Sequence, residues 1–145
     1  MTPFVFPVRI YYEDTDLAGV VFYANYLKYY ERGRTELVRA LGLDQAVLIE
    51  QGLAFAVARC EVDYLKPARF NDALEVVTDV HRVGRASVEF AQHLRYAGQP
   101  GNILNKALVK VVCVTVADMK PVGLPGDLHQ QLHSMQLAAQ RKPGR

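Results

Sequence analysis

Residues 13–16 read Glu-Asp-Thr-Asp, three carboxylates in four positions, directly before Leu-Ala-Gly-Val-Val-Phe-Tyr-Ala-Asn-Tyr, an uncharged run that opens into a helical pattern. A carboxylate can attack a carbonyl carbon or activate water. A helix start offers amide hydrogens that lack intrahelical partners and carry partial positive charge. Side by side they supply the two needs of acyl-transfer chemistry, a base or nucleophile and donors for the developing oxyanion. Val20-Val21-Phe22-Tyr23 brings no Ser, Thr or Asp side chain to quench those donors. Two helix starts remain open: one near Tyr23, whose amide would then be a donor, and one after Asn25, which would be an ordinary N-cap and occupy a donor.

Distance narrows the choice of acid. Glu31 lies eight residues beyond Tyr23, about 12 Å along a helix at its usual rise, out of reach of a carbonyl held at the tip, and Glu36 is further. Glu13, Asp14 and Asp16 are all near enough, and spacing does not rank them. An Asp with its ordinary pKa of about 3.9 is ionised at neutral pH. The bland alternative is an acidic cluster that caps and solvates a loop.

Other constellations are poorer. His129 and His133 are spaced i, i+4, but His-Gln-Gln-Leu-His lacks the glutamate of the zinc-protease pattern and reads as an exposed helix face, so no metal site is expected. Ser87 and Ser134 have no Gly-x-Ser-x-Gly context. Cys60 and Cys113 are far apart, each in an apolar strand-like run, and read as buried thiols rather than a redox pair or zinc set. Glu31 with Arg34, and Arg32 with Glu36, have the spacing of helix-surface charge pairs.

The elements that must position the acidic loop follow from periodicity. Residues 8–12 are β-branched and aromatic and predict a first strand, with Pro3 and Pro7 keeping the leading segment extended. Tyr26, Tyr30, Gly33, Leu37 and Leu41 recur at helical spacing from about Ala24, with Gly42 as the stop. Gly33 on that stripe costs the helix about 1 kcal/mol relative to Ala, and close approach to a sheet would offset it. A short helix is predicted over 43–51, with Asp44 in its first turn. Four strands follow over 54–65, 73–83, 86–96 and 103–117, joined by a Gly84-Arg85 hairpin and a looser turn over 97–102. Leu74, Val76 and Val80, and Val88, Phe90 and Leu94, alternate with polar residues, which predicts a sheet with one dry face for the long helix. A last amphipathic helix, about 127–140, carries Leu128, Leu132 and Met135 at i, i+4 and i+7, and the closing 141–145 reads as a frayed end.

The 145 residues make one α+β domain, its core spanning about 8–118, with 50% apolar residues. Seventeen basic and fifteen acidic residues are interspersed for a net charge of +2, which excludes a basic surface for nucleic acid. There is no signal-peptide pattern and no apolar run of bilayer length, so a cytoplasmic protein without stable membrane insertion is expected.

The order Glu13-Asp14-Thr15-Asp16-Leu17-Ala18-Gly19, then Val20-Val21-Phe22-Tyr23-Ala24-Asn25-Tyr26, then Tyr30-Glu31-Arg32-Gly33-Arg34-Thr35-Glu36, resembles the hotdog-fold acyl-CoA thioesterases. The branches it is most similar to are the Tol-Pal-associated and the 4-hydroxybenzoyl-CoA thioesterases. A second stretch, Tyr64-Leu65-Lys66-Pro67-Ala68-Arg69-Phe70, also matches. Tyr23 stands where the Tol-Pal branch usually has a histidine and agrees with the hydroxybenzoyl branch, while Glu-Asp-Thr-Asp agrees with the former. The resemblance implies a curved five-stranded antiparallel sheet wrapped around one long helix, and hydrolysis of an acyl-CoA to free acid and coenzyme A. It selects Asp16 as the catalytic carboxylate and favours a helix start near Tyr23, whose amide would polarise the carbonyl, with Gly19 and Val20 shaping the turn around the thioester. The Tyr23 ring is left open between the acyl group and the core. No cofactor is implied, coenzyme A being part of the substrate. Cationic side chains are expected along the coenzyme's phosphates, with Lys66, Arg69, Arg82 and Arg85 the candidates by position. A homodimer with sites at the subunit boundary, assembling to a homotetramer, and an association with the Tol-Pal cell envelope are further implications.

Overall fold

The computed structural model describes residues 3–140; the closing segment read above as frayed lies outside them. Five antiparallel strands form one sheet in the order β1-β3-β4-β5-β2, where β1 is Phe4–Arg9, β2 Leu53–Tyr64, β3 Ala73–Val83, β4 Ser87–Tyr96 and β5 Ile103–Thr115. The long helix α1 is Tyr26–Ala40, α2 is Gln45–Glu50 and α3 is Leu128–Gln140.

The first strand lies earlier than its β-branched pattern predicts. Pro7 falls inside β1, opposite Glu75, because an edge strand tolerates a missing N–H. Tyr12 begins a 3-10 turn, Tyr12–Asp14, instead of ending a strand. The four later strands agree with expectation to within two residues at each end, and α2 is capped by Asp44, which accepts from the Ala46 amide at 2.9 Å.

The helix stripe is wider than the sequence suggests: Tyr29 and Val38 are buried along with Tyr26, Tyr30, Gly33 and Leu37. Gly33 does mark close approach. A Cβ there would stand 2.7 Å from Val76 Cγ1, 3.2 Å from Thr78 Oγ1 and 3.3 Å from Gln92 Nε2. The dry face accordingly contains polar atoms. Gln92 Nε2 donates to the Tyr30 carbonyl at 3.0 Å and to Thr78 Oγ1 at 2.9 Å, and its Oε1 accepts from Arg34 at 3.0 Å. Beside it the Tyr30 hydroxyl donates to Asn105 Oδ1. Leu128, Leu132 and Met135 of α3 join the same core, and Gln136 accepts the Val83 amide at 3.1 Å.

The expected surface ion pairs form differently. Arg34 turns inward to Gln92, Arg32 lies 5.9 Å over the Tyr29 ring, and Glu36 pairs with Arg39. Cys113 is buried, but Cys60 is exposed, since it lies on β2 at the open edge of the sheet. No described helix is long and apolar enough to cross a membrane.

Candidate active site

The acidic segment folds back on the residues that lead into the helix. Asp16 N–H donates to the Val20 carbonyl at 2.9 Å, Thr15 bridges Val21, and Phe22 N–H donates to the Asp14 carbonyl at 3.1 Å. Between them residues 16–19 make a tight turn. Asp16 Oδ1 accepts the Ala18 amide at 2.8 Å, the Asp16 carbonyl accepts Gly19 N–H at 3.0 Å, and Gly19 has φ +80°, a conformation side chains resist. The ribbon is held from the other side by the β2–β3 connection. Val20 bridges Arg69, and Val21 N–H donates to the Ala68 carbonyl at 2.9 Å. Ala68 is wholly buried and its own N–H donates to the Tyr26 hydroxyl at 3.0 Å. Its small size and place in Lys-Pro-Ala-Arg are the signals that pointed to this contact, although the sequence reading gave it no role.

The helix begins earlier than α1 itself. A 3-10 turn, Tyr23–Asn25, runs into Tyr26, and the extended residue before it is Phe22 (φ −60°, ψ 128°). Asn25 already has helical angles (φ −68°, ψ −23°) and makes no capping bond. Its amide donates to the Asp14 carbonyl at 2.9 Å. Of the two starts the sequence allows, the helical angles begin at Tyr23 as a 3-10 turn and the α-helix proper at Tyr26, directly after an Asn25 that does not cap it. The residue before the first turn is a phenylalanine that has nothing to cap with. The Tyr23 and Ala24 amides accordingly find no acceptor among the described residues.

Asp14 is the hub that sequence reasoning missed. Its carbonyl takes both Phe22 and Asn25, and its carboxylate accepts the Tyr11 amide at 2.7 Å. The Tyr29 hydroxyl, buried beside Asp14, is kept protonated far above the usual tyrosine range by burial and then by the charge and hydrogen bonding of the Asp14 carboxylate.

Asp16 is exposed, as is Tyr23 at 63%. The Tyr23 ring is therefore not core; it tilts against Phe22 at 5.0 Å and meets Tyr64 edge-on at 6.2 Å. The basic candidates separate into two pairs. Arg69 is exposed beside Val20 of the acidic ribbon, and Lys66, three residues before it, has its Nζ on Asn102 Oδ1. Arg82 and Arg85 lie at the other end of the eleven-residue β3, about 33 Å away. Arg82 is 3.8 Å from Glu89 there. A crevice of about 100 Å³ opens between α1 and the β2 side of the sheet, walled by Val38, Phe55, Val57, Val88 and Phe90. Arg34 is on its wall, its guanidinium pKa lowered by burial against the opposing influence of Glu31. Within one chain this crevice is well along the helix from Tyr23.

A five-stranded antiparallel sheet packed on one long helix, with an acidic turn tied to the helix start, is the architecture of the hotdog thioesterases. The family model of the thioesterase-like superfamily matches residues 11–132, and the chain belongs to that family. An acyl-CoA thioesterase, YbgC, from Haemophilus influenzae is 44% identical over 133 residues, 91% of this chain and 96% of that protein. The crystal structure of a probable thioesterase from Bartonella henselae is 31% identical with a TM-score of 0.78, covering 85% of this chain and 99% of that one. A 1,4-dihydroxy-2-naphthoyl-CoA thioesterase from Synechocystis shares the fold at a TM-score of 0.81 and 20% identity, covering 97% and 99%.

Proposed function

We propose that this chain hydrolyses acyl-CoA thioesters to a free acid and coenzyme A, with Asp16 as the catalytic carboxylate and the Tyr23 amide as donor to the carbonyl oxygen. The observation that carries the reading is the uncapped helix start held in register with the acidic turn. Asp16 is opposite Val20, so Tyr23 is three residues further along the ribbon, about 10 Å between backbones. An extended Asp side chain, a near-attack separation of about 3 Å, a carbonyl and one hydrogen bond span about the same length. Attack by the carboxylate on the thioester carbonyl breaks the C–S bond and expels coenzyme A thiolate, which takes a proton from water. It leaves a mixed anhydride that water opens to the free acid and the original carboxylate. Activation of water instead adds hydroxide to the carbonyl, and the C–S bond then breaks to give the acid and coenzyme A directly. Both routes use the same ionised group and the same amide, and neither calls for a metal or prosthetic group. The YbgC name of the 44%-identical relative supports the acyl-CoA substrate class.

Lys66 and Arg69 would meet the coenzyme's phosphates beside the turn, with Gly19 and Val20 as its floor. Arg82 and Arg85 would serve a coenzyme only on a neighbouring subunit. The open β2 edge supports a homodimer, with a homotetramer built from two of them, and the exposure of Asp16 and Tyr23 fits a site completed at a subunit boundary. A cytoplasmic location and a Tol-Pal association belong to the same reading, and a pull-down against cell-envelope components tests the latter.

The decisive experiment is release of free thiol from a panel of aliphatic and aromatic acyl-CoAs. Wild type is expected to turn over at least one class, and Asp16→Asn to lower kcat by about 1,000-fold or more. Binding of acyl-CoA without turnover by wild type would overturn the enzyme and indicate a sensor.

A further inference from the structure

We infer that Asn25 is a positioning residue for this reaction: its side-chain amide ties the acidic ribbon that carries Asp16 to the helix start that carries the Tyr23 donor. The inference rests on the reading of Asp16 and Tyr23 above. Asparagine is among the best helix-capping residues because its side-chain oxygen accepts a backbone N–H of the first turn. Here it stands two residues after Tyr23 yet caps nothing. Its amide is spent on the Asp14 carbonyl at 2.9 Å, which also holds Phe22 N–H at 3.1 Å.

Asp14 is two residues from Asp16, and Phe22 is next to Tyr23. One carbonyl therefore joins the segment carrying the acid to the segment carrying the donors, and Asn25 supplies one of its two bonds. Asp14 is itself fixed by the Tyr11 amide at 2.7 Å and backed by the buried Tyr29. The side chain thus has a donor role that a carboxylate of the same shape cannot take.

This difference makes the test. Asn25→Asp removes the donor and sets a carboxylate against the Asp14 carbonyl, at a helix start where negative charge is otherwise favoured. Its kcat is expected to fall about 30- to 100-fold, the order of effect of a misplaced reacting group or a lost oxyanion donor. KM should stay within about threefold, because uniform binding is not what the bond supplies. Thermal stability should be unchanged or higher. Asn25→Ala, which loosens the tie without setting a carboxylate against the Asp14 carbonyl, should lose less, about 10-fold. Two outcomes overturn the inference: both variants keep kcat within about threefold of wild type, or both lose activity only in step with a lower Tm. If Asn25→Asp does not fold, Asn25→Ala decides alone by its kcat at unchanged Tm. Asp16→Asn, measured alongside, separates the two levels. An active Asp16→Asn sinks the underlying mechanism, whereas an inactive Asp16→Asn beside fully active Asn25 variants sinks this inference only.

Discussion

β1 and β2 are both edge strands of one sheet, but the chain finishes one edge and leaves the other open. β1 has six residues and a proline in the middle, and it stops opposite Thr78. Beyond that point α3 packs against β3, and Gln136 takes the Val83 amide. β2 has twelve residues and no proline, and residues 57–61 are all exposed. Short length, proline and a covering helix are the devices by which proteins protect a sheet edge. Their presence at one border closes the β1 side within the subunit, and their absence at the other leaves the β2 side open to the second copy proposed above.

Charge placed on each edge breaks this comparison most directly. Val57→Lys on β2 is expected to convert the assembly to a smaller species by sedimentation and to lower kcat/KM about 100-fold or more if the site needs the boundary. Val5→Lys, on a residue of similar exposure in β1, should change neither. Equal effects from the two would erase the distinction. The finished side is also tested from within. Gly33→Ala gains about 1 kcal/mol of helix propensity but drives a methyl into Val76 and Thr78, so a net loss of about 1–3 kcal/mol is expected in denaturant unfolding.

The smallest effect is read from the two thiols. Cys113, fully buried, should react with a disulfide reagent only on unfolding. Cys60, exposed on β2, should react in the native protein. Partial burial of its sulfur on an otherwise exposed residue raises its pKa with Arg34 opposing, so less thiolate is present at pH 8 than for a free cysteine, and the rate should climb with pH across a higher range. Dilution that separates subunits should speed Cys60 a few-fold and leave Cys113 unmoved.

The four later strands were legible because alternation and turn residues are local properties of the chain. β1 was misplaced because a proline looks like a boundary unless the strand is known to be an edge, and edge status is a property of topology. The same ignorance made Cys60 look buried. Gly33 could be read because a glycine on a helix stripe has a cost that packing must offset. Gln92 and Asn105 could not, since an amide in a strand gives no sign that a helix backbone or a tyrosine lies above it. At the site, the acidic turn and the uncapped Val-Val-Phe-Tyr run were visible. The hub at Asp14 was not, because it works chiefly through a carbonyl that every residue has. The four basic candidates looked alike from sequence; only the fold separates Lys66 and Arg69 from Arg82 and Arg85.

Gln92 has one more consequence. By gripping the Tyr30 carbonyl from the sheet, it clamps α1 in its second turn, against both axial sliding and rotation. Tyr23 is seven residues from that clamp, a lever arm of about 10 Å. Whatever jostles the surface loops, the tip can swing only as far as that short rod flexes.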